Sequence, residues 1–338
     1  MDVSIFIRAR NEAKYISDCL ESILSQDTSL EVEVILLDSE SDDETVALAC
    51  KFPIRVYQIP KALFHYAATL NLGVKLAQGA LFVPLSAHCI PLNNQWLKEL
   101  VSPLQRDQKC GASFSRQVPW PDACPIEAQA LLRSFPESSM VKGPTDLARC
   151  KAEGVPLYEV LTFSNASACM RTSLLQEIPL RDLPFSEDRA FALECLHHGR
   201  SIAYCPESVV YHSHIPRYSD FRNVAIAATE AKYHIYAMAH THGLSTSEEL
   251  RIKIFPELNR AVFIFPYTLL KVLQDVITGK WRELGTKKFL RLFHFRLASI
   301  GTSIGKLQAM IRLKNSSPKV PAIADCTPLV EQMKQIKI

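Results

Sequence analysis

Two groups of side chains in this 338-residue chain have the types and spacing that chemistry requires. The first is Glu187-Asp188, which follows Pro184-Phe185-Ser186 and precedes the apolar run Ala190-Phe191-Ala192-Leu193. Ser186 is a good capping type, so both carboxylates are expected in the first turn of a helix, near its positive end. Anions are stabilised there without any chemistry, so a structural cap accounts for the pair as readily as catalysis does. As a catalyst, one carboxylate would take the proton from an attacking hydroxyl. Adjacent helical residues point about 100° apart, so only one of the two would face that hydroxyl. The second group is His212 and His214, which an extended chain places on one face. That geometry suits a metal ion or a diphosphate, although no cysteine cluster completes a zinc site around them.

The elements that must position these groups alternate along the N-terminal half. Strands are expected at Val3 to Ile7, Glu33 to Leu37, Ile54 to Gln58 and Ala80 to Leu85. Helices are expected at Ala13 to Leu24, from Asp43 to Ala49, at Tyr66 to Ala77 and at Gln95 to Leu104. Short apolar strands separated by amphipathic helices predict an α/β protein with a mostly parallel sheet covered on both faces. Ligands of such sheets bind at the carboxyl ends of the strands. Here those ends carry Arg8, Arg10, Asn11 and Glu12, then Asp38 and Ser39, then Ser86 and His88. Asp38 has two readings: it accepts hydrogen bonds from a base or ribose, or it belongs to a turn-and-cap cluster with Ser39, Ser41 and Asp42. Asn71 and Gly73 sit in a helical pattern that favours neither. Asn71 could reach a nucleobase, while Gly73 is better read as permitting close packing on the sheet. The first strand is not followed by a glycine-rich loop, which disfavours the usual dinucleotide site and a methyltransferase.

Composition sets the outer limits. The chain is 48% apolar and 22% charged, the balance of a folded protein. Ten cysteines without regular spacing, and no signal peptide in front, predict reduced thiols in a cytosolic setting. The longest apolar window, Ala261 to Leu270, is broken by Pro266, so no full membrane span is expected. Charge is distributed unevenly: residues 251–338 hold 16 Lys and Arg against 5 Asp and Glu, and the first 250 residues are net acidic. Within the basic region Lys287, Lys288, Arg291 and Arg296 alternate with Phe289, Leu290, Leu292, Phe293 and Phe295. That pattern predicts peripheral contact with an anionic membrane, or a helix packed on the body of the protein with its basic edge in water. No recognition module accompanies the charge, so nucleic acid is not an expected partner. Residues 105–165 are rich in proline and polar turns, and helices dominate from 220 onward, at Asn223 to Met238 and Trp281 to Met310.

Taken in order, Ile7-Arg-Ala-Arg-Asn-Glu12, Leu37-Asp-Ser-Glu-Ser-Asp-Asp-Glu-Thr45, Leu70-Asn-Leu-Gly73 with Ala77-Gln-Gly79, Asn165-Ala166 and Ser186-Glu-Asp188 resemble the inverting, GT-A-fold glycosyltransferases of family 2. The likeness spans roughly residues 3–214 and is nearest a bacterial, rhamnosyltransferase-like branch of surface polysaccharide assembly. It implies a nucleotide-diphospho-sugar transferase fold over residues 1–220, with a nucleotide-binding half at 1–104, an acceptor and catalytic half at 105–220, and a helical C-terminal region at 221–338. It also implies Asp188 as general base, with Glu187 orienting acceptor or base. Asp38 would bind the nucleobase side, within a donor-binding set of Arg8, Arg10, Asn11, Glu12, Asp38, Ser39, Asn71, Ser86 and His88. Asn165 would lie on the acceptor side, and His88, His212 or His214 at the diphosphate or a metal. The expected activity is inverting sugar transfer to a glycan or lipid-linked saccharide at the inner membrane face. One departure stands out. Where the family carries an Asp-x-Asp motif after the fourth strand, this chain has Ser86-Ala87-His88. Magnesium prefers oxygen ligands, whereas manganese accepts imidazole, so a divalent cation is expected as manganese at least as readily as magnesium. Arg and His side chains could also neutralise the diphosphate unaided. The same departure motivates the rival reading, a catalytically silent nucleotide-sugar-binding or scaffold protein.

Overall fold

The computed structural model describes residues 1–123, 125–213, 218–244, 304–313 and 319–336, with isolated positions between 270 and 302. Among them, ten strands form one sheet in the order β10-β3-β2-β1-β4-β8-β6-β9-β5, with β7 paired to β9. The strands are β1 Val3–Ala9, β2 Val32–Asp38, β3 Arg55–Gln58, β4 Leu81–Ser86, β5 Ile90–Pro91, β6 Cys110–Val118, β7 Met140–Lys142, β8 Ala168–Arg171, β9 Ser201–Tyr211 and β10 Lys334–Ile336.

The expected parallel ladder is present as β3-β2-β1-β4. The other half is mixed. Strand β8 runs antiparallel to both β4 and β6, and β6 is parallel to β9. Two reversals restore the original direction, so β1, β2, β4, β6 and β9 all end on the same side of the sheet. The antiparallel β8 begins on that side. Ser86 N–H, at the end of β4, accordingly donates to the carbonyl of Ala166 at 3.0 Å.

Alternation in β1 explains the layering. Phe6 belongs to one core, Ile5 and Ile7 to the other, and all three are fully buried. A central strand buried on both faces reads as the continuous apolar run seen here. On the Ile5 side, α1 (Ile16–Leu24) buries Ile16, Cys19, Leu20 and Ile23, one stripe at helical spacing, next to α2 (Thr45–Ala49) and α4 (Trp96–Arg106). On the Phe6 side lie α3 (Tyr66–Leu76), α6 (Pro144–Glu153), α7 (Leu157–Val160), α8 (Thr172–Glu177), α9 (Glu187–His197) and α10 (Tyr218–Thr241). Helix α5 (Pro125–Ser134) follows β6. A Cβ on Gly73 would come within 2.7 Å of the Phe6 ring, so this glycine lets α3 lie directly on β1. The packing reading of Gly73 holds.

The C-terminal region is not helical throughout. Residues 304–313 form a helix against α10, where a Cβ on Gly305 would lie 2.4 Å from the carbonyl oxygen of Arg222. The chain then returns to the sheet. Ile323 bridges to Arg181, the short helix Thr327–Gln332 packs near α3, and β10 adds an antiparallel edge to β3. The last residues thus add an edge to the β3-β2-β1-β4 half of the sheet, on the far side of the expected boundary at 220. Most of the predicted helix Trp281 to Met310, the Lys287–Arg296 stretch and the window at Ala261 to Leu270 lie outside the described residues. No described helix is long and apolar enough to cross a membrane.

Candidate active site

Two loops at the carboxyl ends of β1 and β2 are tied to each other. Ser41 Oγ donates to Asp38 Oδ1 and accepts the Asn11 backbone N–H at 2.9 Å. Asn11 Oδ1 accepts the Asp42 N–H at 2.8 Å, and Thr45 Oγ1 accepts the Glu12 N–H at 2.7 Å. Thr45 in turn donates to Asp43, whose carboxyl is held below its usual range mainly by these hydrogen bonds, against the opposing effect of desolvation. Asp38 is fully buried, with Oδ2 accepting from Ser41 N at 3.0 Å and Gln58 Nε2 at 2.8 Å. The carboxylate meets protein donors of its own loop and of β3, as the turn-cluster reading of Asp38 expects. Ser39 is also buried, and its N–H continues the β1–β2 ladder to Ala9 O at 2.9 Å. Arg10 and Asn11 are exposed at the loop surface.

Asn71 requires a clearer correction. Its Nδ2 donates to Leu180 O at 3.1 Å and Ala324 O at 2.9 Å, and its Oδ1 accepts Leu180 N–H at 3.0 Å. Both donors and the acceptor are committed to fastening the returning C-terminal segment. A nucleobase has no claim on them.

On the β4 side, His88 Nδ1 pairs with Glu12 Oε1 at 2.8 Å, and the His88 ring stacks on His212 with centroids 5.2 Å apart. His212 Nδ1 is in turn anchored on Gln117 Oε1 at 2.7 Å. A carboxylate or amide behind Nδ1 fixes the ring and directs ligand binding to Nε2, as hydrogen bonds to the far nitrogen do for metal-binding imidazoles. His214 lies outside the described residues. The wall beside the histidines is a stack of Tyr15 on Trp120 at 5.5 Å and Trp120 on Tyr211 at 4.7 Å. Sequence reasoning missed this wall and Gln117. Their signal was positional, since Gln117, Trp120 and Tyr211 all fall at the ends of β6 and β9.

Glu187 and Asp188 open α9 as expected. Ser186 occupies the N-cap position, but its side chain makes no capping bond. Capping hydroxyls act from extended backbone, whereas Ser186 has φ +61°, in the left-handed region. The other described non-glycine residues with positive φ are Asn11 and Glu40, so all three stand in loops around this site. Asp188 accepts the Arg189 backbone N–H at 2.8 Å and a second backbone N–H from Asn165. Burial, then the neighbouring Glu187 charge, pushes the Asp188 carboxyl up to about 7, against the pull of Arg189 and the two amides. Arg8, half-buried at the end of β1, donates to Tyr66 O at 3.1 Å; burial pulls its pKa down while Glu187, Tyr66 and Asp188 pull it up. Asn165 is 4% exposed, and neither atom of its side-chain amide has a hydrogen-bonding partner among the described residues. Buried polar groups are nearly always satisfied, so this amide is a candidate to meet a ligand group or an ordered water.

The arrangement can do one thing well. It holds a carboxyl that titrates near neutrality beside an unsatisfied amide, on the same sheet edge as two anchored imidazoles. Among the described residues no three His, Cys, Asp or Glu side chains stand close enough to hold a metal ion.

Residues 4–123 match the family described as glycosyl transferase family 2. The O-antigen chain rhamnosyltransferase RfbN of Salmonella typhimurium is 29% identical over 219 residues, covering 63% of this chain and 67% of that protein. The O-antigen chain rhamnosyltransferase WbaN of Salmonella anatum is 28% identical over 186 residues, so this chain spans 56% of its length. Among solved structures, the mannosyltransferase PcManGT of Pyrobaculum calidifontis, determined with GDP-Man and Mn2+, superposes with a TM-score of 0.55 at 18% identity, covering 92% of this chain and 86% of that one. At that identity the likeness shows the fold alone. Residues 4–123 carry a family 2 glycosyltransferase domain, the architecture is that of GT-A glycosyltransferases, and the chain is a glycosyltransferase.

Proposed function

We propose that this enzyme transfers a sugar from a nucleotide-diphospho-sugar to a glycan or lipid-linked saccharide with inversion, in surface polysaccharide assembly. The observation that carries the reading is Asp188, a buried carboxyl raised to about 7 at the start of α9 and held by the Asn165 and Arg189 amides. In a direct displacement the acceptor oxygen forms its bond to the anomeric carbon as the bond to the diphosphate breaks. The electron pair leaves with the diphosphate, and Asp188 accepts the hydroxyl proton. One base suffices for that step, and a pKa near the working pH suits it. Glu187, buried beside it, contributes charge that keeps Asp188 basic.

The tied β1 and β2 loops, with Arg8, Arg10, Asn11 and Glu12, form the donor side, and Asp38 and Ser39 support it from beneath. Ser86 shapes the end of β4. His88 and His212 face the departing diphosphate, with His214 following in sequence. Neutralising the leaving group in a water-poor site is where such side chains lower the barrier. A manganese ion at the leaving diphosphate would be held on the protein side by His88 and His212. Such an ion supplies charge neutralisation. The two relatives named O-antigen chain rhamnosyltransferases support a deoxyhexose donor and a growing saccharide acceptor. The basic, apolar 287–296 stretch supports peripheral contact with the inner face of the cell membrane.

The deciding experiment incubates the purified protein with a panel of nucleotide-sugars and saccharide acceptors, with and without manganese and anionic vesicles. Release of nucleoside diphosphate matched by an inverted glycoside is the expected result. Binding of a nucleotide-sugar without transfer or hydrolysis across the panel would leave a silent binding protein.

A further inference from the structure

Gln117 stands near the end of β6, 2% exposed, and both ends of its side-chain amide are engaged. Oε1 meets His212 Nδ1 at 2.7 Å, and Nε2 donates to Ser164 Oγ at 2.8 Å. An amide oxygen only accepts, so His212 carries its proton on Nδ1, which makes Nε2 the ligand atom of the ring. The backbone of His212 is fastened to the same strand, its N–H donating to Val118 O at 2.9 Å.

The other end of the amide holds a loop. Ser164 Oγ also accepts the Ala166 N–H at 3.4 Å, and Ala166 O accepts the Ser86 N–H at 3.0 Å. Between Ser164 and Ala166 lies Asn165, whose backbone N–H donates to Asp188. One line of contacts therefore runs from the imidazole through Gln117 and Ser164 to the amide that holds the Asp188 carboxyl.

Burying an amide costs desolvation that an apolar side chain of the same shape avoids. The β6–β9 pairing does not require the group, because Gln117 meets Val210 there through the backbone. What the amide joins are the two sides of the site. Displacement at an anomeric carbon depends on the spacing of base and leaving group, and a misplacement of about 1 Å costs up to roughly 10²-fold.

We propose that Gln117 is a positioning residue for the transfer, holding the His212 ring on the leaving-group side and, through Ser164, the Asn165 amide on the base side. One buried side chain thereby sets the spacing of the two. This rests on the glycosyl-transfer reading and adds a residue to the same site. Gln117 acts through its neighbours and touches no reacting atom.

The test is NMR on the full chain without ligands, isotopically labelled at histidine nitrogen and aspartate carboxyl carbon. The signals of His212 and Asp188 are identified by their loss in His212→Gln and Asp188→Asn. The wild type is expected to show His212 with its proton on Nδ1, and Asp188 titrating at about 7. Gln117→Met keeps the shape and removes the amide. It should free the ring proton to move to Nε2 and raise the Asp188 titration by about 0.5 pH unit or more, because a slackened Asn165 N–H pulls it down less. Ser164→Ala should move Asp188 in the same direction and leave the His212 ring as it is. Gln117→Glu retains an acceptor and should keep the Nδ1 proton in place. In turnover, Gln117→Met should lose roughly ten- to hundred-fold in kcat with both KM values within about three-fold. A wild-type ring protonated on Nε2, or a Gln117→Met chain in which either signal stays put, would overturn the proposal. A lower melting temperature with both signals unchanged makes Gln117 a structural link alone. Should Gln117→Met not fold, Ser164→Ala decides, and an unmoved Asp188 signal there overturns the proposal. Neither signal needs turnover. A chain that shows both movements yet transfers no sugar from any donor therefore sinks the glycosyl-transfer reading and leaves the Gln117 link standing.

Discussion

The backbone N–H of Asn165 donates to the carboxylate of Asp188, while the side-chain amide of Asn165 lies buried without a partner among the described residues. The same residue is thus half committed to the base and half unsatisfied. Its backbone role is independent of side-chain identity, so the two halves separate cleanly by mutation.

Asn165→Ala should leave the melting temperature unchanged or slightly raised, because it removes a buried, unsatisfied polar group. The acceptor KM should rise roughly ten-fold, as expected for one lost hydrogen bond worth about 1.4 kcal/mol. Thermal denaturation alongside steady-state kinetics checks both. A destabilised variant with normal acceptor KM would make the amide a structural group.

The raised pKa of Asp188 has two consequences with opposite signs. Activity needs the carboxylate, so kcat/KM should fall about ten-fold per pH unit below roughly 7, the acid limb of one essential base. Stability runs the other way. Between about pH 4, where an unfolded aspartate titrates, and about 7, the folded chain holds a proton the unfolded chain lacks. The contribution of Asp188 to stability therefore falls as pH rises through that window. Asp188→Asn removes this penalty and should melt above the wild type at pH 8, with the gap closing below pH 4. Melting curves at the two pH values read the difference directly.

Asn71 ties Leu180 and Ala324 together, so its loss should be felt in folding and not in nucleotide binding. Asn71→Ala removes the partners of the Ala324 carbonyl and the Leu180 N–H, while Leu180 O keeps the Ala324 N–H, at a cost of about 2–4 kcal/mol. Denaturant unfolding should show that loss, while the Kd for nucleoside diphosphate of the folded variant stays within two-fold. A selective loss of nucleotide affinity would return Asn71 to the donor site.

Asp38 acts through Ser41 if the tied loops are the nucleotide's seat. Asp38→Ala should weaken binding of the free nucleoside diphosphate by one to two decades, the worth of a charged hydrogen bond of about 1.5–3 kcal/mol. Ser41→Ala should reproduce part of that loss, because Ser41 links Asp38 to Asn11. Titration calorimetry on both variants decides the matter. Normal affinity in Ser41→Ala beside a large loss in Asp38→Ala would mean that Asp38 meets the nucleotide itself.

Much of this arrangement was legible because periodicity reports local structure. The alternation of apolar strands and helices places Arg8, Asp38 and His88 at the strand ends, and Gly73 shows its packing role once Phe6 lies beneath it. What stayed hidden depended on contacts distant in sequence. Nothing near Asn71 reveals that its partners are Leu180 and Ala324, and nothing near His88 names Glu12 or His212. The two reversals around β8 are likewise invisible in a strand of four residues, yet they bring Asn165 to the end of β4. Ser186 shows a third limit, since a good capping residue was placed at the helix start but in a backbone conformation that does not cap.

The central claim is that Asp188 is the base, and single-turnover transfer by Asp188→Asn, measured beside calorimetric binding of the intact nucleotide-sugar, tests it most directly. Transfer should fall by at least 10²–10⁴-fold, the worth of a positioned general base, with donor Kd within a few-fold of the wild type. Transfer within ten-fold of the wild-type rate at unchanged donor affinity would contradict the account and move the base elsewhere.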